Sequence, residues 1–166
     1  MAGPDATASG RPLLLVDVDG VLQPVGRSVP PGFERFVSDE SEVVLCRQHG
    51  VWLTHLASTF DLVWATTWGA TANGAIGARL GLPELPHLEL TDLPRAGTRK
   101  LAAVQAYSGD RAVAWIDDEL YEDAEAWAAA RSAPTLLRRT ASGVGFTHAD
   151  VRALEAFASG LRPTAR

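Results

Sequence analysis

A run of four apolar residues, Leu13 to Val16, leads directly into the acidic sequence Asp17-Val18-Asp19-Gly20. An apolar run that closes at a glycine in this way is typical of a buried strand in a parallel sheet. In open α/β sheets, ligands bind at the edge where the carboxyl ends of the strands emerge. Two carboxylates at that edge cost stability unless a cation or hydrogen bonds hold them. The stretch therefore indicates a site for metal-assisted chemistry.

Further apolar runs alternate with helical patterns along the chain. We expect strands within 12–19, 43–46, 62–65, 87–90, 112–116 and 136–137. Helices are expected around Trp52, Leu53 and Leu56 and over 70–80, 101–107, 121–131 and 147–161, the last with Thr147 as its N-cap and Asp150 three residues on. Strands that alternate with helices predict an α/β fold: a three-layer, doubly wound parallel sheet with helices on both faces.

One segment departs from this alternation. Residues 20–40 contain six glycines and prolines before residue 33, which favours a β-hairpin flap over a helix. The first eleven residues are small and polar and include proline and glycine, so we expect a flexible leader over 1–11. The remaining length suits a single domain over 12–162.

Composition limits the location and the partners of the protein. Hydrophobic residues make up 46% and charged residues 21%, as in soluble globular proteins, and no stretch approaches the ~20 apolar residues of a membrane span. No secretory signal is apparent and Cys46 is the single cysteine, so a cytoplasmic location is the default expectation. A net charge of −5 argues against generic nucleic-acid binding through a basic surface. The oligomeric state stays open.

Polar side chains follow three of the expected strands, and one cation opens a helix. They are Asp17 and Asp19, then Thr66 with Thr67 as its alternative, then Lys100, then Asp117 and Asp118. In a parallel sheet the three strand ends share one edge. There the acids would bind a divalent cation through oxygen, and Mg²⁺ is the usual choice for phosphate chemistry. Thr66 would offer a hydroxyl donor to phosphate, and Lys100, the only lysine, a compact positive charge.

Taken singly, these residues have structural alternatives. The acidic loop at 17–20 could be a turn closed by its aspartates, and the acids at 117–119 could stabilise the start of a helix. Thr66 could be an ordinary residue at a strand end. Only the joint order of these groups favours a chemical site.

That order resembles the haloacid dehalogenase (HAD) superfamily over nearly the whole chain, from Asp17 to at least Asp118. The four motifs are Asp17-Val18-Asp19-Gly20-Val21-Leu22, then Trp64-Ala65-Thr66, then Lys100, then Trp115-Ile116-Asp117-Asp118. The first and fourth are specific as a pair, whereas the second and third carry weight only in this order. Receiver domains use similar residues, but there the acidic pair comes first and the lysine last.

The resemblance implies a Rossmann-like core and a magnesium-dependent hydrolase of phosphate monoesters. Asp17 would attack phosphorus and form an aspartyl-phosphate, and Asp19 would act as general acid and then as the base that activates water. An acid at the position of Asp19 is typical of the superfamily's phosphatases and phosphotransferases. Mg²⁺ would be held by Asp17, the Asp19 backbone carbonyl and Asp118, with Asp117 binding through water.

Many superfamily members carry a cap domain between the first and second motifs or between the second and third. The intervals 21–62 and 68–99 have no room for a large cap, so the chain resembles a capless, phosphatase-like member. An open site would admit a phosphorylated small molecule, a nucleotide, a nucleic-acid end or a protein, or a partner would close it. Trp68 is the candidate substrate contact, with packing at the rim as the alternative.

Two other functions stay open at this stage. A phosphotransferase would pass the phosphoryl group from Asp17 to an alcohol, and the sequence does not separate it from a hydrolase. A non-catalytic phosphate-binding or interaction module on the same fold is disfavoured, because every residue that the chemistry needs is present.

Overall fold

The computed structural model describes residues 10–38 and 41–161. The strands are β1 (Leu13–Val16), β2 (Glu34–Val37), β3 (Glu42–Leu45), β4 (Asp61–Trp64), β5 (Val113–Asp117) and β6 (Thr135–Arg139). The α-helices are α1 (Arg47–Leu56), α2 (Leu101–Ser108), α3 (Glu122–Ala130) and α4 (His148–Leu161), and a π-helical turn spans Asn73–Gly77. Most of the expected leader, 1–11, lies outside the described residues.

Four strands form the central parallel sheet, in the order β4-β1-β5-β6. In its register Val16 lies opposite both Trp64 and Ile116. The residues that follow these three positions therefore emerge side by side at one edge. The expected parallel α/β sheet and its common carboxyl edge are confirmed.

Both faces of this sheet are buried, which explains why its strands read as unbroken apolar runs. One face packs against α1, α4 and the π-helical turn through a cluster that includes Leu14, Trp64, Ile116, Leu53, Ile76 and Leu154. The other packs against α2 and α3 through a cluster that includes Leu15, Val63, Trp115, Val104 and Ala124. Helices thus cover both faces in three layers, as predicted.

The prediction of a strand over 87–90 is wrong. This segment makes a single bridge to β4, in which Trp64 N–H donates to Pro86 O and Leu88 N–H donates to Trp64 O. The ladder stops there, leaving β4 as the outer strand of the four-stranded sheet. The bridge pairs His87 with Trp64, the last residue of β4, so residues 88–90 lie beyond the end of that strand.

The hairpin lies later in the chain than its expected position within 20–40. Strands β2 and β3 pair antiparallel over 34–37 and 42–45, and Asp39 and Glu40 lie outside the described residues. The stretch before it is an irregular loop, since Pro30 and Pro31 break regular pairing. Between the first two motifs, the described residues hold only this loop, the hairpin and α1, so no large cap is present there.

Two helical predictions resolve in different ways. The helix expected over 70–80 contains the wider π-helical turn, where the Asn73 side chain accepts from Leu85 N–H at 2.9 Å and donates to Leu85 O at 2.9 Å. The start of α4 follows the predicted pattern, because Thr147 N–H donates to Asp150 Oδ2 at 2.9 Å.

Within the described ranges, no helix has the length and apolarity that crossing a bilayer would need. The cytoplasmic location stays a prediction.

Candidate active site

The sheet edge gathers the acids and the lysine that the sequence singled out. Asp17 follows β1, Asp117 ends β5, and Lys100 immediately precedes α2. Lys100 Nζ lies 2.8 Å from Asp17 Oδ2 and 2.7 Å from Asp117 Oδ2. No more than 8% of any of these three side chains is exposed, so the ammonium bridges two carboxylates in a buried setting.

Backbone donors hold the other oxygen of each bridged carboxylate. Val18 N–H donates to Asp17 Oδ1 at 2.8 Å, and Glu119 N–H donates to Asp117 Oδ1 at 2.9 Å. Each carboxylate is thus held at one oxygen by Lys100 and at the other by the backbone turn that follows its strand. The structural alternative to a chemical site at the acidic loop, a turn closed by its own aspartate, is therefore also present and forms part of the site.

The pKa values in this cluster reflect a shortage of positive charge. Burial and then the charge of Asp117 raise the pKa of Asp17 to about 8, because together they outweigh the attraction of Lys100. Burial alone would lower the pKa of Lys100, but the two carboxylates outweigh that effect and raise it. Burial and then the charge of Asp117 also raise the pKa of Asp118. The cluster therefore favours an additional proton or cation.

Asp118 completes a set of acids that a metal ion could join. Oxygens of Asp17, Asp117 and Asp118 all lie within 4.8 Å of one another. With Lys100, the four ionised groups carry a net charge of −2, which one divalent cation would neutralise. The donor set of three carboxylates therefore fits Mg²⁺, which prefers oxygen ligands. We call Asp17, Lys100, Asp117 and Asp118 the charged floor.

Gly20 allows the acidic loop to pass close to the Asp118 carboxylate of the charged floor. A Cβ built at this position would lie 2.2 Å from Asp118 Oδ2, and the residue has a φ of +78°. Only glycine meets both conditions without displacing Asp118. Thr140, after β6, fixes the same loop from outside by donating to Gly20 O at 2.7 Å.

Asp19 is held differently from its neighbour Asp17. Gln23 Nε2 donates to Asp19 Oδ1 at 2.8 Å, and Trp68 Nε1 donates to Asp19 Oδ2 at 3.0 Å. All three side chains are half-buried. We call Asp19, Gln23 and Trp68 the neutral-donor lip. Sequence reasoning singled out Trp68 as a substrate contact and did not find Gln23.

The two threonines occupy separate environments. Thr66 is buried, and its Oγ1 accepts from Trp68 N–H at 3.3 Å. Thr67 is exposed and lines a cleft of about 350 Å³ above the floor. The other lining residues are Asp17, Asp19, Lys100 and Asp118 below, and Val25, Leu93, Arg99, Glu119 and Ser142 at the rim. None of these five rim residues was assigned to the site from the sequence, although Arg99 directly precedes Lys100.

A clamp on the loop before α2 sets the position of Lys100. Thr98 is buried, and Asp123 at the start of α3 accepts its hydroxyl at 2.5 Å and its N–H at 2.9 Å. Tyr121 N–H donates to the same hydroxyl at 2.9 Å. A Cβ at Gly97 would lie 2.7 Å from the Asp123 carboxylate, so the chain can pass there only as glycine. The acids near 117–123 therefore serve both the site and the helix start.

No protein-family model and no curated protein matches the chain. Among solved structures, the chain is similar to one from Legionella pneumophila that was provisionally assigned as a HAD superfamily (subfamily III A) hydrolase. The identity is 18% and the TM-score 0.45, over 91% of this chain and 83% of that one. A likeness at this level carries no argument about activity, so the function has to follow from the residues of this chain.

Proposed function

We propose that the protein is a magnesium-dependent phosphomonoesterase of the HAD type, a capless member of that superfamily, acting through an aspartyl-phosphate on Asp17. One observation carries the proposal: Asp17, Asp117 and Asp118 converge within 4.8 Å around Lys100 at a single sheet edge. A purely structural role explains this poorly, because a buried cluster with excess negative charge costs stability.

In the first step, an oxygen of Asp17 forms a bond to phosphorus while the bond from phosphorus to the ester oxygen breaks. The electron pair of that bond goes to the departing oxygen, which takes a proton from the Asp19 carboxyl group. Lys100 keeps the Asp17 carboxylate in place and offsets its charge. Bound Mg²⁺ would supply positive charge to the phosphoryl oxygens, held by Asp17 and Asp118.

In the second step, water attacks phosphorus and gives a proton to Asp19. The bond from phosphorus to Asp17 breaks, inorganic phosphate leaves, and both carboxyl groups return to their starting states. Thr67, which lines the cleft, would donate its hydroxyl to a phosphoryl oxygen. An alcohol in place of water would make the protein a phosphotransferase.

The cleft suggests how a substrate would be divided. A volume of about 350 Å³ suits a phosphoryl group and the adjacent part of its ester, with the rest of the substrate outside. The rim combines the apolar Val25 and Leu93 with the cationic Arg99 and the anionic Glu119. We propose a phosphorylated small molecule, a nucleotide or a nucleic-acid end as substrate.

The test is turnover of p-nitrophenyl phosphate with Mg²⁺ and with EDTA, beside Asp17→Asn. Asp110→Asn is the matched control, because Asp110 is exposed and follows α2, whose opposite end faces the site. We expect Mg²⁺-dependent release of nitrophenol by the wild type and the control and none by Asp17→Asn. Mass spectrometry of acid-quenched protein should find a phosphoryl group on the peptide that contains Asp17.

Two results would overturn the proposal. Turnover that persists in folded Asp17→Asn would exclude this nucleophile. A wild type that cleaves no phosphate ester with any divalent metal, while still binding phosphate, would favour the non-catalytic module. Adding glycerol as an acceptor separates hydrolysis from phosphotransfer, since transfer yields glycerol phosphate as well as free phosphate.

A further inference from the structure

We infer that Gln23 and Trp68 are positioning residues for Asp19 and that they determine which leaving groups the enzyme can expel. The inference rests on the proposed function, in which Asp19 protonates the departing oxygen. Gln23 and Trp68 lie outside the four sequence motifs, and Gln23 connects Asp19 to the hairpin.

Both oxygens of Asp19 have a donor of their own. Gln23 approaches Oδ1 at 2.8 Å and Trp68 approaches Oδ2 at 3.0 Å. Two donors on different oxygens fix the rotation of the carboxyl plane as well as its location. Neither donor carries a charge, in contrast to Lys100 beside Asp17. The carboxyl group of Asp19 is therefore oriented without an ion pair that a proton transfer would disrupt.

The hairpin determines which way the Gln23 amide points. Val44 N–H, on β3, donates to Gln23 Oε1 at 2.9 Å. The oxygen of the amide is thereby assigned to Val44, and its nitrogen is the atom that faces Asp19. Val43 and Leu45, on either side of Val44, are buried in the core. The hairpin thus holds Gln23, and Gln23 holds Asp19.

The backbone of Trp68 is anchored just after β4. Its backbone N–H donates to buried Thr66 Oγ1 at 3.3 Å, and its carbonyl accepts from the Thr71 hydroxyl at 2.6 Å. The ring packs half-buried against the larger core cluster. Thr66 therefore acts at one remove, by helping to place the residue that orients Asp19.

The chemistry makes this arrangement matter most for poor leaving groups. A general acid works only within hydrogen-bond reach of the departing oxygen, and a misplacement of about 1 Å can cost on the order of a hundredfold. An alkoxide needs the proton in order to leave, whereas nitrophenolate leaves without it. Loss of orientation at Asp19 should therefore slow the cleavage of alkyl phosphate esters far more than that of nitrophenyl phosphate esters.

The experiment measures kcat/KM with Mg²⁺ for phosphate esters that range from p-nitrophenol through phenol to a simple alkyl alcohol. The variants are Trp68→Phe, which keeps an aromatic ring, and Gln23→Glu, which keeps an oxygen for Val44. We expect kcat/KM to fall about tenfold to a hundredfold for the alkyl ester and less than about threefold for the nitrophenyl ester. KM for the nitrophenyl ester should change little.

Trp52→Phe is the control, because Trp52 packs half-buried against the same core cluster as Trp68. Trp52→Phe should lower kcat/KM equally for all the esters or not at all. Thermal melting should show that all three variants are folded. An equal fall across the series in both Trp68→Phe and Gln23→Glu, or no fall, would overturn the inference while leaving the proposed function intact. A wild type inactive on every ester would overturn both.

Discussion

The charged floor and the neutral-donor lip begin two residues apart in the chain and differ in how they hold a carboxylate. Asp17 is buried and paired with an ammonium, whereas Asp19 is half-buried and accepts from an amide and an indole. The floor carries an excess of negative charge that a cation would satisfy, and the lip needs none. One loop thus offers a carboxylate suited to binding metal and attacking phosphorus beside one suited to moving a proton.

The largest effect should come from removing the cation of the floor. In Lys100→Met, Asp17 and Asp117 stay buried without a counter-charge, and breaking such a pair costs about 3–5 kcal/mol of the free energy of unfolding. Phosphatase activity should fall to background. Urea denaturation at pH 7 measures the stability, and added Mg²⁺ should recover part of it.

The control for this change is Arg99→Met, the exposed neighbour of Lys100. It should alter the free energy of unfolding by no more than about 0.5 kcal/mol. If Lys100→Met were equally mild in EDTA, the floor would not depend on the ammonium, and the contrast with the lip would fail.

Asp118→Asn should separate metal binding from folding. Activity should fall about a hundredfold or more, because several kcal/mol of charge stabilisation by the metal would be lost. Stability in EDTA should rise slightly, since burial and the charge of Asp117 raise the pKa of Asp118 and so disfavour its ionised form. Thermal melts with and without Mg²⁺ test this: the metal should raise the melting temperature of the wild type alone, and an equal rise in the variant contradicts it.

Gly20→Ala should break the contact between the lip's loop and the floor. The added Cβ would meet Asp118 Oδ2, and the backbone is in the left-handed region. We expect a loss of about 1–3 kcal/mol in the free energy of unfolding and weaker binding of Mg²⁺. Gly26→Ala is the control, since a Cβ at Gly26 meets nothing within 4 Å. Comparable losses in the two variants would show that Asp118 does not need this close approach.

The smallest effect concerns His49, which supports the lip from behind. Its Nε2 donates to Phe146 O at 2.9 Å, and Phe146 N–H donates to Val21 O in the loop that follows Gly20. Burial lowers the pKa of His49 below its ordinary 6.5, so the folded protein holds the ring neutral while the unfolded chain takes up a proton.

This contribution to stability is therefore complete above about pH 6.5 and is lost as the pH falls from there toward the folded pKa. His49→Gln keeps a donor for Phe146 but does not titrate, so its stability should decline less over that range. Urea midpoints at pH 7.5 and 5.5 make the comparison. Parallel declines in wild type and variant would assign the pH dependence to other groups.

The floor was predictable from the sequence and the lip largely was not. Asp17 and Asp117 follow unbroken apolar strands, so their place at a common edge follows from the rules of parallel sheets. Gln23 and Trp68 meet Asp19 through side-chain geometry across irregular segments that no periodicity describes. The same limit applies to the Thr98–Asp123 clamp, whose two residues are far apart in the chain.

Local features of the chain also explain two errors in the predicted secondary structure. Asn73 bonds to both backbone groups of Leu85, and a wider helical turn lies there instead of a regular α-helix. Because β4 ends at Trp64, the pairing expected over 87–90 is limited to the one bridge between Trp64 and His87. Neither effect changes an apolar pattern, which is the signal that sequence reasoning reads.

The position of β1 between β4 and β5 has a consequence for motion. This strand is paired on both sides, so we expect the exchange of its amides with solvent deuterium to require opening of the whole domain. The hairpin that orients Gln23 is a separate two-stranded sheet whose β2 is mostly exposed, so we expect the amides of β2 to exchange faster than those of β1. Asp17, the proposed nucleophile, therefore follows the strand whose amides we expect to exchange most slowly, whereas the orientation of Asp19, the proposed proton donor, depends on a sheet with one exposed strand.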